Sequence, residues 1–217
     1  MKKKLLSFLL ATAMIMGLAA CGTAGNTDNS VSGNAEAAQK EWNTDNTIVY
    51  GSNDYVRINP AMDEHGEINA LIFDGLTDHD GNNQVIPRLA KSWDCDEETY
   101  TYTFHLEENV KWHDGEPFTA EDVKFTIETI MDPENESENA PDYEDVEEIT
   151  VIDDYTIAFR LKAPNVAFLD YMTMPILPKH LLKGEDMQES DFFRAPVGTG
   201  PYKLDHWDDG QAIVLTR

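Results

Sequence analysis

The sequence predicts a mixed fold of strands and helices, and three stretches carry that prediction. Residues 99–106 read TYTYTFHL, with Tyr100, Tyr102, Phe104 and Leu106 on one face and Thr99, Thr101, Thr103 and His105 on the other. Period-two alternation in β-branched and aromatic residues is the pattern of a strand. Residues 119–131 open on Thr119-Ala120-Glu121-Asp122, an N-cap residue with an acid three positions on. Val123, Phe125, Ile127 and Ile130 follow, so this is a capped amphipathic helix. Residues 146–151 and 155–161 read as two strands of a meander, with Asp153-Asp154 as the turn between them.

The other elements follow in chain order. Lys2, Lys3 and Lys4 precede an apolar run at 5–16 that is too short for a comfortable membrane span. Leu18-Ala19-Ala20-Cys21 has the form of a lipobox. A cut before Cys21 would remove residues 1–20 and leave a thiol to carry diacylglycerol. Each buried methylene of such an anchor contributes about 0.8 kcal/mol. Residues 21–40 are mostly Gly, Ala, Asn, Ser and Thr and read as a flexible tether. The folded body is expected at 41–217.

Within that body, residues 47–52 (TIVYGS) read as a strand. A short helix is expected over 68–76, and 80–83 (DGNN) is a hairpin turn. Residues 94–98 are acidic and read as a turn, 110–113 as a short strand and 114–117 (DGEP) as its turn. Residues 132–145 form an acidic loop holding Tyr143. A helix is expected at 165–171 and a last strand at 211–217. The glycines of 196–202 suit tight backbone turns.

Composition narrows the chemistry. Lys and Arg total 16 against 41 Asp and Glu, a formal net charge of −25. Residues 1–20 contain three lysines and no acid, so the remainder is more acidic still. Such a surface argues against nucleic acid as a partner, since phosphates need Lys and Arg, and against lying flat on an anionic membrane. With Cys21 lipidated, Cys95 is alone and forms no internal disulfide. No G-x-S-x-G is present, and no two of the six histidines stand four apart as in a helical zinc site. No catalytic residue, metal site or cofactor is expected, and the chain is not expected to be an enzyme.

The words LAKSW (89–93), TYTFHL (101–106) and VKWHDGEPFTAEDV (110–123), in that order, resemble the hallmark segment of the extracellular solute-binding proteins of peptide, nickel and opine ABC importers, family 5. RINP (57–60), ILPKH (176–180) and PVGTGPY (196–202) resemble further words of that family. Glu107 departs from it, where Arg or Lys is usual. The resemblance covers nearly all of 44–217 and roughly the first half of a usual member. It implies an α/β, periplasmic-binding-protein-like (type II, family 5) lobe, truncated before the second lobe by a fragment boundary or a shortened gene. Residues 41–59 and 186–217 would form the first-lobe core and 60–185 an inserted subdomain.

The resemblance further implies a lipid-anchored substrate-binding component outside the cytoplasm, working with ABC permease and ATPase subunits. Its ligand would be an oligopeptide or dipeptide. Ligand-lining residues carried over are Met62, Asp63, Glu64, His65 and Gly66, with Tyr143 as an aromatic of the pocket; Cys21 is the lipidation site. Two alternatives stand. His65 favours a nickel or metallophore chelate, whereas nickel-chelate members carry an Arg near Ile176 that this chain lacks. A surface lipoprotein without a transport role is the other.

Overall fold

The computed structural model describes residues 48–52, 55–62 and 66–217. The chain divides into two compact units, Met1–Ser52 and Asn53–Arg217. In the first, the described residues 48–52 are exposed and belong to no strand, contrary to the expectation for TIVYGS. The alternation there is sound, but a strand exists only as part of a ladder, and these residues join none.

The second unit is organised on a four-stranded antiparallel sheet of β3 (Ala90–Asp96), β4 (Thr101–Leu106), β5 (Val146–Asp153) and β6 (Thr156–Leu161), in the order β3-β4-β6-β5. Register sets Phe104 opposite both Trp93 and Ile157, and Tyr102 opposite both Cys95 and Phe159. One face is therefore apolar: Phe104, Leu106, Ile157, Phe159 and Leu161 are buried. Phe104, Phe159 and Phe168 form a ring cluster with centroids 5.6–6.4 Å apart. Burying each such side chain contributes roughly 1.5–3 kcal/mol.

Two details of the β3–β4 hairpin differ from expectation. Residues 94–96 are strand, not turn; they form the outer edge, where their acids stay in water and blunt the exposed ladder. The turn falls at 97–100, with the Asp96 carboxylate accepting from the Glu98 N–H at 2.9 Å. Tyr100 has φ 55 and sits at that corner, off the face it was expected to share with Tyr102. Residues 110–113 make only a single bridge, Lys111 to Pro117, closed by Gly115 at φ 99.

Against this sheet packs α2 (Ala120–Met131), preceded in the chain by the short α1 (Asn69–Ile72). Val123, Thr126, Ile127 and Ile130 of α2 are buried, the inward stripe expected of its spacing. The Asp122 carboxylate accepts from the Thr119 N–H at 2.9 Å, which caps the helix. Its other oxygen accepts from the Lys179 N–H at 3.0 Å, where α4 (Lys179–Leu182) begins. The Thr126 hydroxyl accepts from the Leu177 N–H at 2.9 Å. The ILPKH word is thus pinned to α2 through buried polar groups that are all satisfied.

Smaller pieces complete the unit. β1 (Thr77–His79) and β2 (Val85–Pro87) form the expected hairpin, its turn tied by the Asp80 carboxylate to the N–H groups of Asn82 and Gln84. Helix α3 (Phe168–Tyr171) is shorter than expected. β7 (Lys203–Asp208) pairs with β8 (Ala212–Thr216), and Arg194 lies 3.9 Å over the Trp207 ring. The PVGTGPY word runs against the backbone of α1: Gly200 N–H donates to Ile72 O at 2.8 Å and Tyr202 N–H to Leu71 O at 3.0 Å.

Candidate functional site

The candidate site begins where the chain passes from the RINP word into residues 62–66. Residues 57–62 have no regular structure, so their backbone groups need partners from elsewhere. Ile58 N–H donates to Phe193 O at 2.9 Å and Met62 N–H to Asn59 O at 3.2 Å. The Arg57 guanidinium donates to Gln188 O at 2.7 Å and to Gln188 Oε1 at 3.0 Å. Asn59 Nδ2 donates to Met187 O at 2.7 Å, and Gln188 Nε2 to Asn135 O at 2.8 Å. The Ser137 hydroxyl and the Asn139 amide reach the carbonyls of Pro60 and Ala61. The strip is fixed from two sides, by 135–139 and by 187–193.

The expected ligand residues fall as follows. Met62 is 3 % exposed and packs in the core, so what it offers outward is backbone. Gly66 is half-buried; its carbonyl accepts from the Asn69 N–H at 2.7 Å. A Cβ on Gly66 would lie 2.5 Å from Asn69 Nδ2, so Gly fits there and a larger residue must displace that side chain. Asp63, Glu64 and His65 lie outside the described residues, as does Cys21. Tyr143 has no exposed surface, so in this structure it presents no face to a groove. Its hydroxyl donates to Tyr171 O at 2.7 Å. Burial, followed by the nearby Asp142 and Tyr171, pushes its pKa far up, so the phenol stays a neutral donor.

A second junction joins the two most recognisable words. His113 N–H donates to Gly198 O at 2.9 Å. The His113 ring bridges the same segment: Nδ1 accepts from Gly198 N–H at 3.2 Å, and Nε2 lies 2.9 Å from Gly200 O. A carbonyl only accepts, so Nε2 is the donor of that bond and Nδ1 the acceptor of the other. Trp112, beside it, is 2 % exposed and packs on Phe118.

Four other histidines pair with aspartates: His79 with Asp170, His105 with Asp94, His180 with Asp114 and His206 with Asp205. These pairs are solvated and contribute little each. Among the described residues, no group of three or more His, Cys, Asp or Glu side chains is placed to hold a metal ion. No described helix is long and apolar enough to cross a membrane. An open hollow edged by Glu185, Asp186, Glu189 and Asp191 lies elsewhere; among the described residues, neither 57–62 nor Gly66 lines it.

The sequence profile of the bacterial extracellular solute-binding proteins, family 5, matches residues 84–217. The chain belongs to that family. Protein XP55 of Streptomyces lividans is 32 % identical over 205 residues, covering 94 % of this chain and 36 % of its own length. The structure of NikZ from Campylobacter jejuni in complex with Ni(L-His) superposes with a TM-score of 0.72 and 40 % identity, over 75 % of this chain and 33 % of NikZ. The oligopeptide-binding protein AppA from Bacillus subtilis, in complex with a nonapeptide, gives 0.71 and 28 %, over 76 % of this chain and 34 % of AppA. The chain thus spans about a third of these relatives' length. Its mixed α/β fold is that of a family 5 solute-binding lobe.

Sequence reading missed Ser137, Asn139 and Gln188. A signal was present: Ser137 and Asn139 are short neutral residues alternating with Glu136 and Glu138 in an acidic loop. Such alternation marks residues turned inward, but nothing in sequence says toward which carbonyls.

Proposed function

We propose that this chain is part of the substrate-binding component of an ABC importer, and that it captures oligopeptides outside the cytoplasm for transfer to permease and ATPase subunits. Lipid on Cys21 holds it to the membrane, with 21–40 as the tether. Residues 62–66 form one wall of the ligand site and offer backbone groups to an extended peptide, which gives affinity without demanding a particular sequence. The observation that supports this reading best is the fold match to AppA, whose structure holds a nonapeptide.

One observation favours a second reading. NikZ, whose structure holds Ni(L-His), has the higher identity of the two solved relatives, and residues 63–67 include His65. A nickel–histidine chelate is then the ligand, with His65 as a metal-facing donor.

Calorimetry on the product of the complete reading frame separates them, using a nonapeptide pool and nickel–histidine. The peptide reading expects heat with the peptides and little change in His65→Ala. The chelate reading expects heat with nickel–histidine and a loss of at least tenfold in affinity in His65→Ala. Binding of neither probe overturns both and leaves a surface lipoprotein without a transport role.

A further inference from the structure

The strip that leads into the proposed ligand segment is held by two buried side chains from a loop far along the chain. The Ser137 hydroxyl donates to Ala61 O, 76 residues away in sequence. Asn139 Nδ2 lies 3.3 Å from Pro60 O and 3.4 Å from Ala61 O. Asn139 N–H donates to Ser137 Oγ at 3.2 Å, so the hydroxyl oxygen is occupied and its proton is committed to Ala61. Between them, Glu138 N–H reaches Met62 O at 3.4 Å. Three successive carbonyls, 60, 61 and 62, are therefore met by three successive residues, 137, 138 and 139.

The arrangement is buried and strained. Ser137 and Asn139 are buried while Glu136 and Glu138 are exposed. Ala61 has no exposed surface, so its carbonyl has no water to fall back on if these donors are lost. Glu136 has φ 51, the left-handed region a non-glycine residue seldom adopts. That turn is what brings Ser137 inward. A loop that only needed to connect α2 to β5 has no use for a strained residue or for two buried polar side chains; the two side chains serve the carbonyls of Pro60 and Ala61.

We infer that Ser137 and Asn139 are positioning residues for the ligand segment: their side chains hold the carbonyls of residues 60 and 61 and, with the Glu138 N–H on Met62 O, fix the strip up to Met62, where that segment begins. This rests on the reading of 62–66 given under Proposed function. Neither side chain needs to touch ligand. The pair acts by holding the backbone at Met62 in place before ligand arrives, which lowers the ordering cost of binding.

The test uses Ser137→Ala, Asn139→Ala and Ser137→Thr, which keeps a hydroxyl, in the product of the complete reading frame. Residue-resolved amide exchange is read at Met62 and Gly66 and at the core strands 101–106 and 156–161. Affinity is read with the nonapeptide pool and nickel–histidine. The expected result is at least tenfold faster exchange at Met62 in both alanine variants, unchanged exchange in the core strands, and at least tenfold weaker binding of whichever probe the wild type takes. Ser137→Thr restores both. Exchange that accelerates equally everywhere, or nowhere, overturns the inference, as does undiminished binding in both alanine variants. A wild type that binds neither probe overturns the reading of 62–66 as a ligand segment, and the inference with it. The exchange data then report only whether the pair holds the strip.

Discussion

Gly198→Ala should be among the most damaging single-methyl changes in this chain. A Cβ built on Gly198 would lie 1.8 Å from Ile72 O and 2.6 Å from the Ile72 carbonyl carbon. Both obstacles are backbone, and the carbonyl is already bonded to Gly200 N–H at 2.8 Å. The segment must therefore retreat from α1 by well over an ångström to open that 1.8 Å approach to a tolerable contact. That retreat stretches the bonds from Gly200 N–H to Ile72 O and from His113 N–H to Gly198 O, and the one from Gly198 N–H to His113 Nδ1. At roughly 0.5–1.5 kcal/mol net for each, the loss is about 2–4 kcal/mol. A domain of ordinary stability has only about 5–15 kcal/mol to lose. Gly81→Ala is the control, since a Cβ there meets nothing within 4 Å. It should stay within about 0.5 kcal/mol of wild type. Urea unfolding followed by tryptophan fluorescence measures both. A Gly198→Ala protein within about 1 kcal/mol of wild type would refute the close approach of PVGTGPY to α1.

Three further outcomes are expected. Trp112→Ala should cost about 3–5 kcal/mol, because the indole is almost wholly buried against Phe118; a loss under about 1.5 kcal/mol in the same assay would contradict its place in the core. Burial, outweighing the bonds from Thr119 and Lys179, raises the Asp122 pKa. The folded state therefore holds that proton more tightly than the unfolded chain does, so the group favours folding at low pH and loses this contribution as pH rises through the raised pKa. Wild-type stability relative to Asp122→Asn should then fall between about pH 4 and pH 7, and a rise on denaturation at the two pH values would reverse the assignment. Labelling with a palmitate analogue should mark the wild type, while Cys21→Ala should lose the mark and release the protein to the medium; a Cys21→Ala protein retained on the membrane would rule out the lipid anchor.

Elements whose partners are near in sequence were legible, and those needing a distant partner were not. Helix α2 falls over 120–131, as its capping acid and apolar spacing require. The DGNN hairpin forms where expected and the meander with its turn one residue later, at 154–155, since each brings its own partner strand within a few residues. Residues 47–52 have a good strand pattern and still form none over 48–52, because pattern supplies a face and not a neighbour. Tyr143 shows the same limit at the candidate site. An aromatic in a polar loop suits a ligand or a core equally well, and only the fold brings Tyr171 O to its hydroxyl.

By itself the sequence determined the acidic character, the mixed strand and helix content, the position of the main helix and the family, whose spaced words survive as local backbone requirements. It took the folded chain to bring Asp122 to the start of a second helix, to set the His113 ring between Gly198 and Gly200, and to bring Ser137 and Asn139 to the carbonyls of residues 60–61. The physical reason is common to all three. Each is a short polar side chain whose role depends on which unpaired backbone group the fold brings within about 3 Å. That proximity joins residues 57 to 87 positions apart, and no local pattern encodes it.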